Sequence, residues 1–273
     1  MNRIFILILF VFILLSGTSS AHIKAVASIA PLKFFIEEIG GKGSCKEILI
    51  PPGADPHSFE LTSSQLKHVA GAACIAIMGS GIEFEDMLLT KVASLKRKIV
   101  IIDCSRGIKK IGNDPHIWLS PRNGAIIART ITEEYIRMDP QGIKEYQKQY
   151  ILLLEKLSFL DRSIRKTIEE SKIKKMISIH PAWTYFCAEY GIEQIPVERE
   201  GKEPGPQTIA AVVSLAKKNR IQTLFSSPQS NPGIARAIAA SIKGKIKILN
   251  PLAESYIQNL FYVADALAES ARF

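Results

Sequence analysis

The chain has 273 residues, a formal net charge of +9 and 47% hydrophobic residues, ample for one large or two modest cores and too apolar for a disordered segment. Its basic residues are scattered, with small clusters at 96–98, 172–175 and 243–247 and no interleaved aromatics, which speaks against a nucleic-acid surface. Cys45, Cys74, Cys104 and Cys187 form no Cys-x-x-Cys pair and no regular spacing, so neither a cysteine zinc site nor a disulfide framework is signalled; buried thiols and a Cys74–Cys104 pair are the two readings.

Asn2 and Arg3 precede an unbroken apolar run, Ile4 to Leu15, followed by small and polar residues to Ala21. The run is short of the roughly 20 residues a membrane span needs. It has the form of a secretory signal over residues 1–21, cleaved near Ala21, with an uncleaved anchor as the alternative. No Cys follows the run, which argues against a lipid anchor and for a periplasmic location.

Beyond it, strand and helix alternate. Lys24–Ala30 is expected as a strand, Pro31–Gly40 as a helix, Glu47–Ile50 as a strand, and Ser63–Ala70 as a short helix capped by Ser63 or Ser64. Cys74–Gly79 and Lys98–Asp103 read as strands around a helix over Phe84–Leu95, and Pro121–Met138 as a helix. From Gln141 to Ser171 there is no strand; Ile143, Tyr146, Tyr150, Leu153, Leu157, Leu160, Ile164 and Ile168 recur at three- and four-residue steps, which predicts one amphipathic spine helix. Alternation then resumes. Strands are expected at Lys175–Ile179, Ile195–Val197, Thr223–Ser226 and Lys245–Leu249, and helices at Pro181–Tyr190, Pro206–Asn219, Pro232–Lys243 and Glu254–Ala271. Near-continuous apolar strands predict an α/β fold of two lobes, 22–140 and 172–273, each a mostly parallel sheet flanked by helices, joined by a rigid helix at 141–171.

Three of the five histidines share a context: Asp55-Pro56-His57, Asp114-Pro115-His116 and His180-Pro181. His22 stands at the expected mature terminus and His68 within a short helix. Each of the three lies beyond a predicted strand, the address at which open α/β sheets hold ligands. Proline fixes the backbone beside each imidazole, so little freedom is lost on binding. A carboxylate accepting the other ring N–H would fix the tautomer; the sequence leaves open whether Asp55 or Asp114 does so. Three imidazoles suit zinc, copper, iron or nickel, and manganese less well.

These segments resemble one family, the extracytoplasmic zinc- and manganese-binding receptors of ABC importers. The resemblance spans the mature chain. It rests on Pro51 or Pro52 with Gly53, Asp55, Pro56, His57, Phe59 and Glu60, on Asp114–Pro121, and on His180 with Tyr185, Phe186, Tyr190 and Gly191. Gly201–Pro204 and Asn250-Pro251-Leu252 complete it. It implies two lobes on a rigid helix, His57, His116 and His180 as metal ligands, Zn2+ as cargo with Mn2+ or Fe2+ next, and a permease with its ATPase as partners of a monomeric receptor. Two departures stand out. Asn250 occupies the position where the family carries an Asp ligand, so the fourth position is a weak one at Asn250, open, or served by Glu60, Glu198, Glu200 or Glu254. The His- and acid-rich loop of many zinc receptors is missing from 82–112. A zinc-dependent hydrolase using the three histidines and an adhesin-type surface protein are the rival readings; no His-Glu-x-x-His, nucleophile elbow or repeat supports either.

Overall fold

The computed structural model describes residues 23–51, 53–54, 59–95, 97–198 and 203–271. The expected signal at 1–21, His22, His57, Glu200 and Gly201 lie outside them. In the first lobe, strands β1 (Ala25–Ala27), β2 (Cys45–Ile48), β3 (Cys74–Ile77) and β4 (Val100–Asp103) form a parallel sheet ordered β2-β1-β3-β4. It is flanked by α1 (Ala30–Gly40), α2 (Ser63–Gly71), α3 (Glu83–Ala93) and α4 (Pro121–Met138). A 3₁₀ turn, Pro140–Gly142, leads into the spine α5 (Ile143–Ser171). At 1.5 Å per residue the spine is about 44 Å long. In the second lobe, β5 (Lys175–Ser178), β6 (Glu193–Pro196), β7 (Thr223–Ser226) and β8 (Lys245–Ile248) repeat the order as β6-β5-β7-β8, with α6 (Thr184–Tyr190), α7 (Pro206–Lys218), α8 (Pro232–Ser241) and α9 (Tyr256–Ser270). Among the described residues no helix is long and apolar enough to cross a membrane.

The two sheets match bond for bond at their carboxyl ends. Ser28 N–H donates to Ala76 C=O as Ile179 N–H donates to Phe225 C=O. Ile50 N–H donates to Ser28 C=O as Glu198 N–H donates to Ile179 C=O. Cys104 N–H donates to Ile77 C=O as Leu249 N–H donates to Ser226 C=O. By this register Ile29 of the first lobe corresponds to His180 of the second, and Met78 to Ser227.

Successive strand residues face opposite sides of a sheet. Met176 and Phe225 accordingly enter a large core shared by the first lobe, the spine and α9, while Ile177 and Leu224 enter a smaller core under α7 and α8 with Val197 and Ile238. The spine contributes Leu153, Leu157, Leu160, Ile164 and Ile168 to the large core, and α9 contributes Tyr256, Leu260 and Val263. Gly124 lets these helices converge. A Cβ there would meet Tyr256 Oη at 2.8 Å, with Phe35 and Leu157 just beyond at 3.4 and 3.5 Å.

Several boundaries differ from the expectations. Helix α2 is capped by Thr62, not by Ser63 or Ser64. Gln65 lies three residues on, so the two residues close a capping box: Gln65 N–H donates to Thr62 Oγ1 at 3.2 Å and Thr62 N–H to Gln65 Oε1 at 3.0 Å. Helix α6 starts at Thr184 and not at Pro181, because the turn over 181–183 first drives Ala182 and Trp183 into the core. All four cysteines are buried free thiols. Cys74 pairs in register with Val100, whereas Cys104 follows the far end of β4, so the two sit at opposite ends of adjacent strands.

The first lobe closes its own crevice. Between the ends of β1 and β3, where the strand order reverses, Glu85 is fully buried and accepts from Ser28 Oγ at 2.5 Å, Met78 N–H at 2.7 Å and Gly79 N–H at 2.8 Å. Burial pushes its carboxyl up from 4.5 to about 7, against the pull of these donors. At about 1.4 kcal/mol per pKa unit, ionising Glu85 costs the folded chain about 3 kcal/mol relative to the unfolded one. That contribution to stability is full below about pH 4.5 and is lost as pH rises through about 7. Glu85→Gln is expected to be less stable than the parent near pH 5, since its amide N–H2 faces a donor, and to lose less stability on going to pH 8. Urea midpoints of both proteins at the two pH values check this. Parallel pH profiles would assign the dependence to other groups.

Candidate metal centre

Of the candidate residues, His116 and His180 lie beyond strand ends where the two lobes meet. His116 sits in the loop between β4 and α4. Asp114 Oδ1 accepts both the His116 backbone N–H at 2.8 Å and its ring Nδ1–H at 2.6 Å, so one carboxylate oxygen fixes the turn and the ring. His180 leaves β5 directly, and Glu198 leaves the neighbouring β6 in parallel register. The Glu198 N–H bond to Ile179 C=O, 2.9 Å, brings its Oε2 to 3.1 Å from His180 Nδ1.

Both imidazoles therefore hand Nδ1–H to a carboxylate and turn Nε2 toward each other. The two Nε2 atoms stand 3.4 Å apart, with ring centroids at 5.1 Å and planes at 77°. Two nitrogens at about 2.0–2.1 Å from a tetrahedral zinc stand about 3.3–3.4 Å apart. The spacing is that of two ligands on one ion, and carboxylate-fixed imidazoles are its usual support. His116 is 8% exposed, shielded by Trp118, whose ring centroid lies 5.1 Å away.

Contacts across the lobes hold the His116 loop in place. Tyr185 of α6 receives Ile111 N–H on its hydroxyl at 3.0 Å and donates to Asp114 C=O at 3.3 Å. Trp118 Nε1–H donates to Pro251 C=O at 2.8 Å, and Tyr256 Oη–H to Trp118 C=O at 2.7 Å. Ser120, the cap of α4, donates to Glu189 of α6.

Three of the candidates for a fourth ligand are engaged elsewhere, and Glu60 is exposed. Asn250 Oδ1 accepts Leu252 N–H at 3.0 Å; Glu198 holds His180; Glu254 pairs with Lys33. Glu200 is outside the described residues, as is His57, the expected third imidazole. Among the described residues no three His, Cys, Asp or Glu side chains form a group that could hold an ion. The two rings border a cavity of about 580 Å³ whose far wall includes Glu203, Ser227, Gln229 and Asn231 of the second lobe.

Asp114→Asn is expected to weaken metal binding by about 10- to 100-fold, the usual effect of losing an outer partner of a ligand. Its amide oxygen can still accept the His116 backbone N–H, so the turn survives. Competition with a chromogenic chelator measures the change; unchanged affinity would mean that the negative charge on Asp114 contributes nothing to binding.

The family model described as "Zinc-uptake complex component A periplasmic" (ZnuA) matches residues 25–270. A "Putative metal-binding protein" of Chlamydia muridarum is 28% identical over 258 residues, covering 90% of this chain and 91% of that one. The "High-affinity zinc uptake system protein ZnuA" of Bacillus subtilis is 24% identical over 256 residues, covering 84% and 78%. A solved structure titled "Crystal structure of ZnuA" superposes with a TM-score of 0.86 at 32% identity, covering 90% of this chain and 98% of that one.

Proposed function

Because the chain belongs to the zinc-uptake complex component A family of periplasmic metal-binding receptors, which serve ABC importers, we propose that it captures one zinc ion between its lobes and delivers it to the permease of such an importer. Manganese and iron are the next candidates. The carrying observation is the pair of Nε2 atoms 3.4 Å apart, each ring held at Nδ1 by its own carboxylate. In this reading His57 supplies a third imidazole and Asn250 at most a weak fourth position. The chain acts as a monomer in the periplasm after removal of residues 1–21, and it performs no catalysis.

Capture is a competition between metal and protons. Ligating imidazoles must be deprotonated, so affinity falls as pH drops. The spine and α9 are packed into one core with the first lobe, which favours small loop and lobe shifts over a wide hinge opening.

Native mass spectrometry of the metal-stripped mature chain, offered zinc, manganese and iron together at equal concentration, tests the reading. One bound zinc is expected. Manganese or iron in its place would keep the receptor and replace the cargo; no bound metal would overturn the receptor.

A further inference from the structure

Bonds within its own turn and bonds from the second lobe locate His116, and a further set reaches it from the sheet of the first lobe. Ser80 is nearly buried in the loop between β3 and α3, and its hydroxyl donates to Pro115 C=O, the carbonyl just before His116. That carbonyl also accepts Ile117 N–H at 2.8 Å. Asp114 belongs to the same turn as His116, so it sets how the ring sits on the turn and not where the turn sits on the lobe. The Ser80 bond fixes the turn against the end of β3. Ser80 is itself held. Before it, Met78 and Gly79 N–H donate to the buried Glu85 carboxylate at 2.7 and 2.8 Å. Gly79 has a φ of +69°, and a Cβ there would meet Asp103 Oδ1 at 1.9 Å, so this loop lies flush against the end of β4 with no room for a side chain. After it, Ile82 stands at the cap of α3 and borders the same cavity as Pro115 and His116. The point where the strand order reverses, the usual ligand address of an open α/β sheet, is thus filled by a carboxylate that steadies the loop on which His116 rests. A binding constellation has to be held to within about 0.5 Å by residues that are locked in turn by their own hydrogen bonds.

We propose that Ser80 is a positioning residue for His116, and that Glu85 acts on metal affinity through it. The inference rests on the metal reading above. The path runs from the Glu85 carboxylate through the Met78 and Gly79 N–H groups to the Ser80 hydroxyl, and from there through Pro115 C=O to the imidazole. Neither Ser80 nor Glu85 touches the ion. Together they set where one of the two Nε2 atoms of the 3.4 Å pair stands.

The test is zinc affinity by chelator competition at pH 8, where the Glu85 carboxylate is ionised, on the mature parent, Ser80→Ala, Ser80→Thr, Glu85→Gln and the double variant of Ser80→Ala with Glu85→Gln. Pro115 C=O keeps its Ile117 bond in Ser80→Ala, so that variant is expected to fold. Its zinc affinity should fall about tenfold, the lower end of the effect of losing an outer partner. Ser80→Thr keeps the hydroxyl and should bind zinc as the parent does. Glu85→Gln should weaken binding in the parent background and add nothing in the Ser80→Ala background, the signature of two residues acting along one path. A second readout needs no zinc. In the metal-free chain carrying nitrogen-labelled histidine, Ser80→Ala should move the ring resonances of His116, assigned through His116→Ala, and leave those of His68 on α2 in place. Parent affinity in Ser80→Ala, equal losses in the alanine and threonine variants, or unmoved His116 resonances would each overturn the role of Ser80 and leave the receptor standing. Additive losses in the double variant would overturn the path from Glu85. A parent that binds no zinc overturns the metal reading, and this inference with it.

Discussion

His116→Ala is expected to reduce zinc affinity by more than the roughly 10- to 100-fold that loss of an outer partner causes, because it removes a donor atom and not its support. The argument is geometric. His116 and His180 point Nε2 atoms at one site from opposite lobes, 3.4 Å apart, and neither orientation depends on the metal: Asp114 fixes one ring and Glu198 the other. Preformed donors lose little freedom on binding, so removing one forfeits nearly its whole contribution. Thermal stability gives an independent readout. A ligand at 100 times its Kd stabilises the folded state by about 2.7 kcal/mol. At a zinc concentration chosen for that condition in the parent, His116→Ala should lose nearly all of the shift, each shift being taken against the variant's own metal-free midpoint. His180→Ala should match it. His68→Ala, whose exposed ring lies against Glu47, should leave zinc binding unchanged. Lowering the pH should mimic the variants, since a second proton on either ring lands at Nε2 and sets a cation against its neighbour. Retained affinity in either alanine variant would remove the centre from this cleft.

The alternation of strands and helices was legible because each element carries its own period, and α4, α5 and β7 fall within two residues of their expected bounds. His116 and His180 were legible because proline punctuates the loops they occupy. What periodicity cannot show is which strands become neighbours. Glu198 reads along the chain as a spare carboxylate and a candidate ligand. Only the parallel pairing of Ser178 with Pro196 reveals that it stands beside His180 as its orienting partner. Glu85 carried no signal either; in a helix that begins with Glu83, Glu85 and Asp86 it looks like one of several first-turn acids. Its role appears once Ser28, Met78 and Gly79 converge on it from two strand ends. Tyr185 was part of a motif without a task until Ile111 and Asp114 arrived at its hydroxyl from the other lobe. The common cause is contact order: each of these groups acts on residues brought to it by sheet topology rather than by chain proximity.

Trp118→Ala is expected to cost about 3–5 kcal/mol of stability in the metal-free protein, the range for removing a large aromatic side chain from a packed core. Trp118 is 1% exposed, and its side chain does two separable things. Its ring fills the large core beneath His116, and its N–H closes a buried bond to Pro251 C=O in the loop that follows β8. Trp118→Phe separates them. It keeps most of the apolar contact but leaves the Pro251 carbonyl without its donor, at a cost of about 1–3 kcal/mol. The consequence for binding follows from where the bond lies. Pro251 and Leu252 border the same cavity as the two imidazoles, so Trp118 sets the distance between the His116 loop and the second lobe. Loss of the bond should therefore weaken zinc binding even in the phenylalanine variant, whose core is nearly intact. Urea unfolding of the metal-free proteins and chelator competition, run on parent and both variants, resolve the two contributions. Equal stabilities for the phenylalanine variant and the parent would mean that the bond between lobes contributes nothing. A phenylalanine variant that loses stability yet keeps its zinc affinity would mean that Tyr185 and the cap at Ser120 hold the lobes in register without it.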